Sequence, residues 1–150
     1  MSIDEDASKY LRAAYKSGKA IDSVKAKIME IMPPAIKEKC PYCMLSEPGT
    51  FDHYVGKGQF PEYSVLSKNL VPCCSKCNGK KGEKFLTSNG KRIFISFYFD
   101  ELPKNSFLVV ELDIDGAVPY IKNMYTNSNT GKDIDEIIET HFDELELFER

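Results

Sequence analysis

The chain has 150 residues, of which 42% are hydrophobic, so it can bury one ordinary apolar core and would rarely hold two. Its net charge is -3 at pH 7, and no apolar run is long enough to span a bilayer. The opening residues MSIDEDASKY are acidic and polar, unlike a secretory signal, so we expect a cytoplasmic protein without a membrane segment, folded as one domain over residues 1–150.

Residues 1–38 carry apolar side chains at spacings of three and four, a pattern that predicts two amphipathic helices. The first is predicted over residues 3–18 and the second over residues 21–32, with Gly18 between them. Pro33 and Pro34 end the second helix because proline cannot donate the helical hydrogen bond. The predicted apolar positions are Tyr10, Leu11, Ala14 and Tyr15, then Ile21, Val24, Ile28, Ile31 and Met32.

Residues 39–84 contain two Cys-x2-Cys pairs, Cys40 with Cys43 and Cys74 with Cys77. Each pair can supply two thiolates from one tight turn, and two such turns make the closed tetrahedral site that structural zinc occupies. The alternative is that these cysteines are small buried hydrophobes. Cys73 is left over, and we assign it to packing because the two-residue spacing of Cys74 and Cys77 matches the first pair.

Residues 85–150 combine predicted strands with a final helix. The segments RIFISFYF and SFLVVELDI are rich in β-branched and aromatic residues and predict strands, and GAVPYIKNMY predicts a weaker third. The segment DIDEIIETHFDELELF predicts an acidic helix with one apolar stripe, which includes His141 as a structural residue. The predicted fold class is therefore α+β, with a short antiparallel sheet after the cysteine-rich segment.

Asp52 and His53 lie side by side between the cysteine pairs, in a chain with only two histidines. The ordered set of Cys-x2-Cys, Asp52-His53, Asn69-Leu70 and Cys-x2-Cys-Asn78-x2-Lys81 resembles the HNH endonucleases of the His-Me finger (ββα-metal) superfamily. The resemblance covers residues 40–84, somewhat under a third of the chain. The segment FISFYFDELP also resembles a stretch that follows the finger in some HNH proteins of bacterial defence, including the nuclease of Septu-like systems.

The resemblance implies a role for each matched position. Asp52 and Asn78 are implied ligands of a catalytic divalent cation, and their oxygen donors suit Mg2+ or Mn2+. His53 is implied as the general base that takes a proton from water, with Asn69 orienting its ring and holding the loop. The alternative, purely structural interpretations are an exposed loop for Asp52 and His53, a turn residue for Asn69 and a helix cap for Asn78.

The charge is unevenly distributed, since residues 1–92 carry 16 Lys+Arg against 10 Asp+Glu and residues 93–150 carry 4 against 13. Residues 75–92 hold six of these basic residues against one glutamate, which predicts a phosphate-binding cluster unless it is a solvated loop. We expect Lys80, Lys81 and Lys84 to contact nucleic acid, with double-stranded DNA as the expected substrate. No recognition helix is apparent, so sequence preference would come from a partner or from nucleic-acid shape.

The acidic C-terminal helix would repel DNA if it faced the active site. It either covers the strands with its apolar stripe or docks a larger protein, for which we expect a partner such as an ATPase. Three functions therefore stand: an HNH endonuclease, a catalytically silent zinc-stabilised binding module, and a treble-clef finger that binds protein. Only the first accounts for Asp52, His53 and Asn78 together, so the sequence favours the enzyme.

Overall fold

The computed structural model describes residues 4–16 and 18–150, and in that part of the chain it shows an α+β protein, as predicted. It divides into two compact units, Met1–Gly90 and Lys91–Arg150. The single domain with boundaries after residues 38 and 84 stays a prediction. The helices are α1 (Glu5–Lys16), α2 (Lys19–Ile31), α3 (Pro34–Lys37), α4 (Ser75–Lys81) and α5 (Ile134–Glu144), and the strands are β1 (Thr50–His53), β2 (Leu70–Cys73), β3 (Leu108–Asp115) and β4 (Val118–Thr126).

Both N-terminal helices form, although residues 3 and 17 of the predicted first helix lie outside the described residues. Ile21 and Ile28 of α2 are buried against Leu70 of β2 and form one hydrophobic cluster of the first unit. The predicted stripes are only partly buried, because Tyr10 is 77% exposed and Ile31 is 67% exposed. The periodicity predicted both helices correctly. It also predicted buried positions that are in fact exposed to solvent.

The first unit contains a ββα arrangement made of β1, β2 and α4. The two strands are antiparallel, with Thr50 opposite Cys73 and His53 opposite Leu70. Helix α4 packs against β1 and ends at Gly82, whose φ of 54° lies in the left-handed region that glycine adopts without steric cost. Strand β1 carries Asp52 and His53, and α4 carries Cys77, Asn78, Lys80 and Lys81. The other predicted site residues lie in the segments that precede, connect or follow these elements.

The second unit contains an antiparallel hairpin of β3 and β4, which confirms both of those predicted strands. The apolar stripe of α5 packs within this unit, so the helix buries Ile137, Ile138 and His141. His141 is a structural residue there, as expected, because its ring packs edge-on to three phenylalanines and Nδ1 accepts a hydrogen bond from Ile95 N at 3.3 Å.

The strand predicted for RIFISFYF is wrong, since residues 92–99 form irregular backbone that ends in a turn at residues 97–99. Side chains supply the hydrogen bonds that a neighbouring strand would have provided. Ser96 N donates to Asp100 Oδ2 at 2.8 Å, and Thr140 Oγ1 donates to Ile93 O at 2.8 Å. High β-propensity therefore predicted correctly that much of this segment is buried. It could not predict that the hydrogen-bond partners of the segment are side chains on a helix and beside a turn, and not a neighbouring strand.

No helix within residues 4–16 and 18–150 has both the length and the apolar content needed to cross a membrane.

Candidate metal centre and catalytic site

Four thiols from two turns meet beside the ββα arrangement. The Sγ atoms of Cys40, Cys43, Cys74 and Cys77 all lie within 4.8 Å of one another, and Cys43 and Cys74 are 4.0 Å apart. A tetrahedral zinc site with bonds of about 2.3 Å places its sulfurs about 3.8 Å apart. The four predicted ligands are thus positioned to hold a metal ion, and an all-thiol donor set of this size suits structural zinc.

Local hydrogen bonds shape both turns. Cys40 N donates to Ser46 O at 2.6 Å and Met44 N donates to Cys40 O at 2.7 Å, which closes the first turn. In the second turn, Cys74 caps α4 and its Sγ accepts a hydrogen bond from Cys77 N at 3.4 Å. The side chain of Cys77 and nearby amides lower the pKa of Cys40 to about 5 against the opposing effect of burial. Cys40 is therefore a thiolate at neutral pH, the form that binds metal.

Cys73 lies outside this cluster, which confirms its assignment to packing. The pKa of Cys73 is raised to about 12, mainly by burial and in part by the nearby charge of Asp52, against the opposing effect of a hydrogen bond with Thr50. Its thiol stays protonated at neutral pH. A protonated, fully buried thiol acts as a small hydrophobe, so Cys73 differs chemically from the neighbouring Cys74.

Asp52 is buried on β1 and its carboxylate has two close partners. Tyr42 Oη donates to Asp52 Oδ2 at 2.7 Å, and Lys81 Nζ lies 3.0 Å from the same oxygen. Lys81 is fully buried and also donates to the backbone carbonyl of His53 at 2.8 Å. Burial and the charge of Asp52 raise the pKa of Tyr42 well above its usual range, so Tyr42 remains a hydrogen-bond donor.

The position of Lys81 corrects its predicted role as a phosphate contact. Its side chain has no exposed surface, and its ammonium group is held inside the ββα arrangement. A buried ammonium that already pairs with a carboxylate cannot reach a substrate phosphate on the protein surface. Lys81 instead connects α4 to the two chemically important residues of β1.

His53 is held in one orientation by its surroundings. Its Nε2 lies 3.0 Å from Ser64 O, and a carbonyl oxygen can only accept, so Nε2 carries the proton in the neutral ring. The Nδ1 atom then bears the lone pair that can accept a proton. The ring of Tyr15 packs edge-on with a centroid distance of 4.2 Å. Burial, aided by the charge of Lys57, lowers the pKa of His53 against the opposing effects of Ser64 O and Asp52, which keeps the imidazole neutral at neutral pH.

Asn69 pins the loop that follows β1. Its Oδ1 accepts from Val55 N at 2.7 Å, and its Nδ2 donates to Val55 O and to Tyr63 O, both at 3.0 Å. Tyr63 precedes Ser64, whose carbonyl holds the His53 ring, so Asn69 supports the ring through the loop. Its predicted role in loop holding has clear contacts here, and the role in catalysis stays a prediction.

Replacing Asn69 with alanine is expected to destabilise the chain by about 2–4 kcal/mol, because three hydrogen bonds are lost and the partly buried backbone groups of Val55 and Tyr63 lose a partner. Urea unfolding of the zinc-loaded protein measures this change. Asn105, which is exposed, provides the matched control, and Asn105→Ala should change stability by less than about 0.5 kcal/mol. Equal effects of the two substitutions would contradict the pinning role.

Asn78 lies inside α4, so the alternative that it caps this helix is wrong; Cys74 occupies the cap position. Its Nδ2 donates to Thr50 Oγ1 at 3.0 Å, which leaves Oδ1 as the oxygen able to bind a cation. Thr50 and Asp52 are two residues apart on β1 and therefore share a face of the strand. The structure thus brings the amide of Asn78 to the strand face that carries Asp52.

Three of the six basic residues of segment 75–92 form ion pairs within the protein. Besides the buried Lys81, Lys91 pairs with Glu136 at 2.5 Å and Arg92 pairs with Asp100 at 2.8 Å. Lys80 is half-buried and Lys84 is exposed. Contact of Lys80 and Lys84 with nucleic acid stays a prediction, and the cluster as a whole has less charge to offer a polyanion than its composition indicated.

Sequence reasoning missed three residues that build this site: Tyr42, Ser64 and Tyr15. Tyr42 lies between the first two cysteines. Its position in the turn that carries two predicted zinc ligands could have indicated that its hydroxyl contacts the site. Ser64 contributes only its backbone carbonyl to His53, and any residue type could do so. Tyr15 belongs to a helix far away in sequence, and no local pattern predicts its contact with the imidazole.

Two curated proteins share a segment with this chain. Protein ea31 of Escherichia phage lambda is 44% identical over 50 residues, which cover 32% of this chain and 17% of that protein. Septu protein PtuB of Bacillus thuringiensis is 41% identical over 49 residues, which cover 29% of this chain and 19% of that protein. The chain therefore matches less than a fifth of the length of either relative. Neither a protein-family model nor a solved structure matches it.

Proposed function

We propose that the chain is a metal-dependent HNH endonuclease that hydrolyses phosphodiester bonds of DNA. The observation that carries the proposal is the fixed tautomer of His53, whose Nε2 donates to Ser64 O while Nδ1 keeps its lone pair. A neutral, buried and oriented imidazole is suited to accept a proton from water. The partial similarity to a Septu protein, together with the resemblance of the sequence to HNH proteins of defence systems, supports a role in anti-phage defence.

Asp52 and Asn78 would hold the catalytic cation. Both offer hard oxygen donors, which Mg2+ and Mn2+ prefer. Asp52 lies on β1, and the hydrogen bond to Thr50 brings the amide of Asn78 to the same strand. When bound, such a cation stabilises the negative charge that develops on the phosphate and on the leaving oxygen. The buried thiolate cluster would hold a separate zinc ion whose role is structural.

The chain's own residues account for the proton transfer. His53 Nδ1 takes one proton from a water molecule, and the water oxygen forms a bond to phosphorus as the bond from phosphorus to the 3′ oxygen breaks. The products are a 5′ phosphate and a 3′ hydroxyl, whose proton comes from solvent. Ser64 O and Tyr15 fix the ring during this step, which matters because a freely rotating base loses much of its advantage.

The test is cleavage of supercoiled plasmid by zinc-loaded wild type and by His53→Ala, with Mg2+ or Mn2+ added or omitted. His53→Ala lacks the general base, so we expect it to cut the plasmid about 10²–10⁴-fold more slowly than wild type. Omitting the cation is preferable to adding EDTA, because a chelator would also remove zinc from the four thiolates. Zinc content and circular dichroism measured on both proteins serve as the folding control.

The second candidate is a zinc-stabilised binding module without catalysis. The ion pair between Lys81 and Asp52 favours it, because the carboxylate already has a positive partner where a metal ligand would be expected. Zinc-loaded wild type that cuts neither DNA nor RNA with either cation would support this module. Cutting that persists at the wild-type rate in His53→Ala would exclude His53 as the base and contradict the proposal.

A protein partner such as an ATPase remains a proposal with α5 as its candidate surface. Deleting residues 133–150 is a poor test, because Ile137, Ile138 and Leu145 are buried and their loss would unfold the second unit. Substituting the exposed acidic residues Glu139 and Asp143 with lysine leaves the apolar stripe in place. Retention of the ATPase by this charge-reversed protein in a pull-down would count against α5 as the docking surface.

A further inference from the structure

The ring of Tyr15 gathers two lysines beside the proposed catalytic histidine. Lys25 Nζ from α2 lies 4.4 Å from the ring centroid, and Lys57 Nζ from the loop after β1 lies 4.6 Å from it. The same ring contacts the imidazole of His53 at 4.2 Å. Two cations from separate parts of the chain are thus held next to one aromatic ring at the edge of the site.

Neither lysine has an acidic partner among residues 4–16 and 18–150. The ion pairs of that part of the chain do not include Lys25 or Lys57, and both side chains are half-buried. The neighbouring carboxylate of Glu83 instead accepts a hydrogen bond from Gly58 N at 2.9 Å. Two like charges at one ring repel each other, and an anion placed between them would relieve that repulsion. An arrangement of this kind is suited to an anionic ligand.

The positive charge continues from Lys57 along α1. Arg12 Nη1 lies 3.5 Å from Gly58 O, next to Lys57. Lys9, Arg12 and Lys16 recur at helical spacing on α1 and, together with Glu5 and Ala13, line a groove of about 370 Å³. Arg12 and the two lysines at Tyr15 therefore place positive charge beside His53, whereas three of the six basic residues of segment 75–92 are engaged in ion pairs.

We propose that Lys25 and Lys57 bind a backbone phosphate of nucleic acid adjacent to the scissile bond, with Arg12 extending the contact along α1. The inference rests on the proposed nuclease function and adds the surface that positions the substrate. Tyr15 is a positioning residue, because it holds both ammonium groups and also packs on the imidazole. The N-terminal helices thereby contribute directly to substrate binding.

The test compares Lys25→Gln/Lys57→Gln with the matched control Lys27→Gln/Lys37→Gln. Each double variant removes two positive charges, and the control lysines are exposed, with Lys27 on α2 itself. Fluorescence anisotropy measures binding to labelled DNA duplexes of about 20 base pairs and to RNA duplexes of matched sequence. The buffer contains no added Mg2+, Mn2+ or chelator, so the strands stay intact and zinc is retained.

For duplex DNA, loss of the contact with one backbone phosphate reduces the magnitude of the slope of log K against log salt by about 0.9, and weakens binding about tenfold at ~0.1 M salt. The control variant should keep the wild-type slope. Equal slopes for the two double variants, or no binding of either duplex by wild type, would overturn the inference. Because binding is measured without hydrolysis, failure here is distinct from a failure of the His53→Ala cleavage test.

Discussion

Cys77→Ala is expected to lose zinc and to unfold the ββα arrangement of β1, β2 and α4. Cys77 is fully buried, belongs to the four-thiol cluster and lies in the first turn of α4. Structural zinc contributes about 10–16 kcal/mol of apparent folding free energy in small finger domains at neutral pH. That is as large as the whole stability of an ordinary domain, which is about 5–15 kcal/mol.

The apolar cluster that joins α2 to the two-stranded sheet is small. The buried apolar cluster that joins α2 to the sheet consists of Ile21, Ile28 and Leu70, with Tyr15, Val24 and Phe51 packed against it. The strands β1 and β2 have four residues each, and an isolated two-stranded sheet is at best marginally stable in water. We therefore expect the geometry around Asp52 and His53 to depend on zinc.

Cys73→Ala provides the matched control for this prediction. Cys73 is also fully buried and adjacent to the cluster, but its thiol is neutral and lies outside the ligand set. Metal analysis should find one zinc per chain in Cys73→Ala and none in Cys77→Ala, and thermal unfolding should show a cooperative transition for the first unit only in the control. One zinc per chain in both variants would exclude Cys77 as a ligand.

The residues at the site were predictable where chemistry depends on spacing along the chain. The two Cys-x2-Cys pairs identified the thiol cluster because each turn is local, and short spacing determines which sulfurs can meet. The strands β3 and β4 followed from their β-branched and aromatic residues, and the helix α5 followed from its apolar stripe, for the same reason. Local pattern was sufficient wherever the decisive contact lies within one turn or one element.

The sequence failed where tertiary contacts decide the role of a residue. Lys81 belongs to a basic segment and was interpreted as a phosphate contact, yet its position three residues after Asn78 places it on the packed face of α4. Its burial depends on Asp52 and His53 lying beneath that face on β1. The contact of Tyr15 with His53 likewise required the packing of α1, which no local pattern specifies.

Lys81→Met is expected to destabilise the first unit by about 3–5 kcal/mol, because it leaves the buried carboxylate of Asp52 without a compensating charge. Asp52 is 3% exposed, and its remaining strong contact is the hydroxyl of Tyr42. The backbone carbonyl of His53 also loses its partner. Urea unfolding of the zinc-loaded protein measures this change.

Lys91→Met makes the same substitution at an exposed ion pair and serves as the control. The side chains of Lys91 and Glu136 are 57% and 55% exposed, so their pairing should contribute only about 0–1 kcal/mol. The double variant Lys81→Met/Asp52→Asn removes both charges of the buried ion pair. The double variant should therefore be more stable than Lys81→Met alone. Comparable small losses of stability from Lys81→Met and Lys91→Met would contradict a stabilising role for the buried ion pair between Lys81 and Asp52.

The same variants test whether Lys81 and a divalent cation compete for Asp52. If Asp52 binds the catalytic cation, removing the ammonium at 3.0 Å should strengthen Mn2+ binding in whatever fraction of Lys81→Met stays folded, and Asp52→Asn should abolish that gain. Calorimetric titration of folded protein with Mn2+ measures both effects. Weaker Mn2+ binding by folded Lys81→Met would instead mean that the lysine holds Asp52 and His53 in the geometry that the cation requires, so that Lys81 supports the metal site and does not compete with it.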